Sequence, residues 1–74
     1  MKKIIHSKKF RFLVSQLRKA REESGLSQIM VAKMLKITQS RISKLESDRC
    51  KIDVVQLQRM ARVYRKSIDF FLRT

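Results

Sequence analysis

From Phe10 onward the apolar residues Leu13, Val14, Leu17 and Ala20 recur at intervals of three and four, the spacing that gathers side chains on one face of an α-helix. The pattern predicts a first helix from Phe10 to about Ser24. Gly25 supplies a residue that accepts a left-handed backbone after a helix end, and Leu26 follows it as an apolar plug. Ser27 has the hydroxyl of a helix N-cap, and behind it Val31, Ala32 and Leu35 form a short second stripe ending around Lys36. Thr38 is a further cap, ahead of a segment from Gln39 to Glu46 in which Ile42, Leu45 and Glu46 share one face and Ser40 and Lys44 the other. Between these two segments Lys36 and Ile37 leave room only for a tight turn, with Ile37 turned inward to set the angle between the helices.

Ser47 to Lys51 reads as a polar loop. Asp53 then caps a helix whose stripe is Leu57, Met60, Ala61 and Tyr64, and Ser67 caps a last turn or two carrying Ile68, Phe71 and Leu72. The expectation is an all-α, compact bundle of about five short helices. Composition agrees, because the chain has no Pro and one Gly and so lacks the residues that turn a multi-stranded sheet. At 74 residues it can form one small domain, in which only about 60% of the unfolded surface is buried. Residues 10–74 are read as that domain and residues 1–9 as a basic arm, which either reaches a partner or is a solvated terminus.

Charge changes the picture most. Nineteen Lys and Arg against six Asp and Glu give a formal net charge of +13, far beyond what solubility requires, so the partner should be a polyanion. A membrane surface would need an exposed apolar face, and the stripes above are used for a core. Ile4 and Ile5 are too short for a signal-peptide apolar segment, and no stretch approaches the length of a membrane span. A cytoplasmic location is expected. Cys50 is the lone cysteine and His6 the lone histidine, so neither an internal disulfide nor a metal set is expected, and both read as ordinary surface residues. Paired carboxylates, a nucleotide-binding Gly loop and a His with a neighbouring acid are all missing, which argues against an enzyme and leaves no cofactor expected. Single-strand RNA reading would need aromatic platforms, and these are missing too.

The polar face of the third helix, Ser40, Arg41, Ser43 and Lys44, is basic and short in side chain. A helix of this kind can enter a major groove about 12 Å wide and meet base edges; the alternative is a merely solvated face.

The run Leu26-Ser27-Gln28, Val31-Ala32, Leu35, Ile37-Thr38-Gln39-Ser40, Ile42-Ser43 and Leu45-Glu46 has Arg21 upstream, and Leu57, Met60-Ala61 and Ser67-Ile68 downstream. It resembles the helix-turn-helix of the phage repressor, Cro and xenobiotic-response-element-like family of bacterial regulators, over about residues 12 to 72. The resemblance implies a lambda-repressor-like domain, bacterial or phage-encoded and nucleoid-associated, that binds double-stranded DNA with its second and third helices. It assigns base reading to Gln39, Ser40 and Lys44, whose amide and ammonium groups suit adenine and guanine edges. Backbone contacts fall to Ser27, Gln28, Arg18, Arg41, Ser43, Arg49 and Lys51, with Gln28 also bracing the first groove residue. Arg21 and Glu46 form a structural ion pair, which removes Glu46 as a candidate acid catalyst. The implied role is a transcriptional regulator, foremost a repressor, acting as a homodimer on a roughly palindromic operator. Val54, Val55, Phe70 and Phe71 are the candidate dimer contacts, with a core role weighed ahead of that contact for Phe71. An antitoxin that neutralises a partner toxin and regulates its own operon is the alternative, as is a restriction-modification controller; no small-molecule ligand is evident. Two positions depart from the family pattern, Lys36 and Asp48, each standing where Gly is usual.

Overall fold

The computed structural model describes residues 8–47 and 49–73. Five helices follow one another: α1 Lys8–Glu23, α2 Gln28–Leu35, α3 Gln39–Leu45, α4 Val54–Tyr64 and α5 Ile68–Leu72. Every expected helix is present, and no strand occurs among the described residues. The first helix starts two residues earlier than the stripe beginning at Phe10 indicates, so Lys8 and Lys9 of the expected arm are helical. Residues 1–7, His6 and Asp48 lie outside the described residues.

Each helix start after the first is specified by one side chain. The Ser27 hydroxyl accepts from Met30 N–H at 3.1 Å, Thr38 Oγ1 from Arg41 N–H at 3.1 Å, Asp53 Oδ1 from Gln56 N–H at 2.7 Å and Ser67 Oγ from Phe70 N–H at 3.3 Å. These bonds satisfy amides that have no partner within the helix.

Three helix ends share one closing pattern. After α1, Leu26 N–H reaches back to Arg21 O at 3.2 Å and Gly25 N–H to Glu22 O at 3.1 Å, with Gly25 at φ 73°. After α2 the corresponding bonds run from Ile37 to Ala32 at 3.0 Å and from Lys36 to Lys33 at 3.3 Å; after α4 they run from Lys66 to Ala61 at 2.9 Å and from Arg65 to Arg62 at 3.2 Å. The left-handed position is therefore held by Lys36 at φ 59° and Arg65 at φ 57°, neither of them glycine. A side chain there costs about 1 kcal/mol, while a cation at a helix C-terminus returns about 0.3 to 1 kcal/mol. Lys36→Gly is accordingly expected to raise stability by roughly 0.5 kcal/mol, read as a higher urea midpoint with an unchanged slope. A lower midpoint would show that the charge outweighs the strain.

The core is continuous through all five helices, and its largest fully buried side chains are Phe71, Leu17, Ile42, Leu45, Met60 and Val31. α1 packs on α4 and α5, while α2 packs on α3 and α4. Ile37 is half-buried against this core, so the turn between α2 and α3 is pinned by an apolar contact as well as by its backbone bonds. The α2–α3 pair thus stands as a rigid unit on the α1, α4 and α5 base, with α3 at the surface.

Candidate nucleic-acid interface

Burial of Ile42 and Leu45 decides which way α3 faces. At about 100° per residue the opposite side is left to Gln39, Ser40, Arg41, Ser43 and Lys44, all of them exposed. With seven residues the helix is roughly 10 Å long, which fits a major groove about 12 Å wide. Ser40, Arg41 and Lys44 join Thr38, Arg49 and Cys50 around a recess of about 490 Å³. Among the described residues three cations and no acid line it, which suits an anion such as a DNA phosphate beside the groove. Arg49 is held there because its N–H donates to Lys44 O at 3.2 Å, and the Ser47 hydroxyl donates to Ser43 O at 2.9 Å. Both bonds fold the loop onto the end of α3.

Behind the exposed face lies a polar chain that begins in the interior. Arg21 donates to Glu46 twice, from Nε to Oε2 at 2.7 Å and from Nη2 to Oε1 at 3.1 Å. Its remaining nitrogen, Nη1, donates to Leu26 O at 3.0 Å. Gln28 Nε2 donates to the same Glu46 Oε1 at 3.1 Å, and Gln28 Oε1 accepts from Gln39 Nε2 at 3.5 Å, the outer limit for such a bond. Four residues from α1, α2, α3 and the C-cap of α3 are therefore linked in series. The Glu46 side chain is only 3% exposed and that of Arg21 12%, so the pair is shielded from water and from salt. The carboxylate raises the Arg21 pKa through its hydrogen bond, against the opposing effect of burial. Burial, and secondarily the Glu46 charge, also push the Tyr64 hydroxyl upward; that hydroxyl is buried without a hydrogen-bond partner among the described residues. The consequence for α3 is that the amide of Gln39 meets an already oriented neighbour before any ligand arrives.

The remaining backbone candidates are more dispersed. Ser27 and Gln28 sit at the start of α2, next to Gln39 through the Gln28 bond. Arg18 is exposed on α1 and lies 3.8 Å from Glu22. Lys51 lines a groove between α1, α4 and α5 instead of the α3 recess. Two contributors carry no sequence signal. Cys50, read from the sequence as an ordinary surface residue, is half-buried and lines the recess. Arg59 donates from Nη2 to Leu35 O at 2.7 Å, tying the end of α2 to α4 and so fixing the base of the turn. Nothing in the periodicity of α4 separates Arg59 from its solvated neighbours.

The four candidate dimer residues do not form one surface. Phe71 has no solvent exposure and belongs to the core, because it fills the space between α5 and α1. Phe70 is half-buried, edge-on to Phe71 at 5.1 Å between ring centroids, with the Lys66 ammonium 4.8 Å from its ring centre. Val54 and Val55 are 68% and 65% exposed, but one helical step turns them apart. Val54 borders the groove of α1, α4 and α5, and Val55 borders a different one against α2.

Among the described residues no helix is long and apolar enough to cross a membrane, and no group of His, Cys, Asp and Glu could hold a metal ion. No curated protein matches the sequence. A helix-turn-helix family model, HTH_3, matches residues 17–71, a span that runs from the middle of α1 to Phe71 and contains the whole α2–α3 unit and its brace. The chain therefore belongs to the Cro/C1-type helix-turn-helix family, non-enzymatic domains of lambda-repressor-like fold that bind DNA sequence-specifically and regulate transcription.

Proposed function

We propose that the protein is a repressor that binds a roughly palindromic operator as a homodimer, inside the cell that holds that DNA. Gln39, Ser40 and Lys44 read base edges, and Ser27, Gln28, Arg41, Ser43 and Arg49 hold the phosphates on either side, with Arg18 and Lys51 as outlying backbone contacts. The observation that carries this reading is the exposed polar face of α3, whose first residue is braced through Gln28 to the buried Glu46. A preorganised amide loses less freedom on binding, and Gln can pair with both N6 and N7 of adenine, as Lys can donate to guanine.

One α3 spans only a few base pairs, so useful specificity calls for two half-sites about one helical turn apart. Val54 and the exposed Leu72 flank an apolar groove of about 340 Å³ between α1, α4 and α5, and this surface is the best candidate for the contact between two copies.

Selection from a random duplex library at about 150 mM salt, where non-specific binding is weak, tests the proposal. A symmetric motif with two half-sites is expected; no enrichment would overturn it. On the selected site, Gln39→Ala or Lys44→Ala should remove about 1 to 3 kcal/mol of discrimination at particular base pairs. Arg49→Ala should weaken all sequences alike and reduce the salt slope by about 0.9. A uniform loss from Gln39→Ala would mean that α3 reads with a different face.

A further inference from the structure

The side of the molecule formed by α2 and α4 carries apolar side chains that the fold leaves uncovered. Met30 and Met34 lie one turn apart on α2 and are 47% and 53% exposed, and Val55 of α4 is more open still. Met34 and the half-buried Val63 stand between two shallow grooves. One, of about 290 Å³, is bordered by Val55, Arg59 and Arg62; the other, of about 530 Å³, by Leu26, Arg65 and Lys66. Neither shares a residue with the recess on α3. DNA contact does not explain this face, because a phosphate strand offers nothing that methionine and valine would cover.

The charges around these grooves say what kind of molecule fits. Arg59, Arg62, Arg65 and Lys66 line them, and the one acid there among the described residues, Glu23, is held by Lys66 at 2.9 Å. Arg62 and Arg65 have no side-chain hydrogen bond or ion pair among the described residues. The other described acids are also engaged: Glu22 by Arg18, Glu46 by Arg21, Asp69 by Arg73, and Asp53 as a cap. A second copy of a chain with net charge +13 would bring more like charge to the same rim, which opposes self-association there. A polarizable methionine pair beside valines adapts to a partner's shape and suits the apolar stripe of a helix laid in a groove.

We propose that the α2–α4 face docks an amphipathic helix of an acidic partner protein. Apolar residues of that helix, spaced one turn apart, seat on Met30, Met34, Val55 and Val63, while its carboxylates pair with Arg59, Arg62 and Arg65. The α3 face stays open, so the partner can join a DNA-bound protein.

The probe is a synthetic 16-residue peptide with leucines at one-turn spacing and glutamates elsewhere, compared with a scrambled peptide of the same composition. Each is titrated into the isotope-labelled full chain at about 150 mM salt, where diffuse charge attraction is screened beyond about 8 Å. The patterned peptide is expected to shift the methyl signals of Met30, Met34, Val55 and Val63. Met34→Glu, Arg62→Glu and their combination should weaken it, the pair by about tenfold or more. Met34→Glu should leave affinity for a mixed-sequence duplex unchanged. Equal binding of the scrambled peptide overturns the proposal, as do shifts confined to α3 that added duplex reverses. Self-association of the chain that Met34→Glu abolishes would overturn it in favour of a second copy as the occupant.

Discussion

Glu46→Ala is expected to destabilise the domain by about 3 to 5 kcal/mol and to abolish specific DNA binding at physiological temperature. A chain of this length has a total stability of only roughly 4 to 11 kcal/mol, so the loss removes a large part of it. The reason is the environment of the pair. Its carboxylate lies almost completely out of water and accepts three hydrogen bonds, two from Arg21 and one from Gln28. Truncation leaves a guanidinium in a partly buried site with only the Leu26 carbonyl to satisfy it. It also frees Gln28, and through it Gln39. The double variant Arg21→Met with Glu46→Leu removes both charges and should recover much of the stability, because a matched apolar pair needs no desolvation of ions. Urea denaturation of the two singles and the double measures the coupling. A cost below about 1 kcal/mol for Glu46→Ala, the value of an exposed pair, would show that water reaches the pair and that the brace on α3 is not rigid. The double variant also separates stability from recognition, since it folds but lacks the acceptor that orients Gln28.

Phe71→Ala should cost about 3 to 5 kcal/mol, the range for deleting a buried aromatic ring, whereas Val54→Asp should change stability by no more than about 0.5 kcal/mol. In the sequence both residues are candidate dimer contacts, with a core role already favoured for Phe71. The structure gives Phe71 no exposure and Val54 a majority of its surface. If Val54 lies in the contact between copies, its aspartate variant should stay folded yet bind a two-half-site duplex with the stoichiometry and affinity of a lone domain. Denaturation reads the folding, and sedimentation with and without the duplex reads the stoichiometry. A folded, monomeric Phe71→Ala would place that ring in an interface after all, and a Val54→Asp variant that still pairs on DNA would move the contact elsewhere.

These two positions also show where a sequence is legible. The stripe of Leu13, Leu17 and Ala20, the caps Ser27, Thr38, Asp53 and Ser67, and the Gly25 stop are local features, and each acts within a turn or two of itself. They can therefore be read from spacing and side-chain chemistry, and every helix they announce is present. Boundaries are less legible. α1 includes Lys8 and Lys9, two exposed residues that lie ahead of the apolar stripe and so leave no mark in it. The left-handed Arg65 is equally silent in the sequence, since the bonds that close α4 are made by backbone groups that every residue carries and no Gly marks the position.

For the candidate interface, the division follows the same physics. The outward face of α3 follows from the positions of Ile42 and Leu45 alone, because helical geometry fixes the opposite side once the buried side is known. The Arg21–Glu46 pair and the bracing of Gln39 by Gln28 were implied by family resemblance, but the Gln28–Glu46 bond that joins them into one chain was not, since it depends on three helices meeting within hydrogen-bond distance. Arg59 on the Leu35 carbonyl and Cys50 at the recess depend on tertiary approach entirely. The sequence by itself determined the number of helices, their caps and the polar outward face of α3, because those are consequences of periodicity and local hydrogen bonding. Only the tertiary structure decided that Val54 and Val55 border different grooves, and that methionines and free arginines share the α2–α4 face. Those outcomes depend on how helices turn relative to one another, a geometry set by packing between residues far apart in the chain.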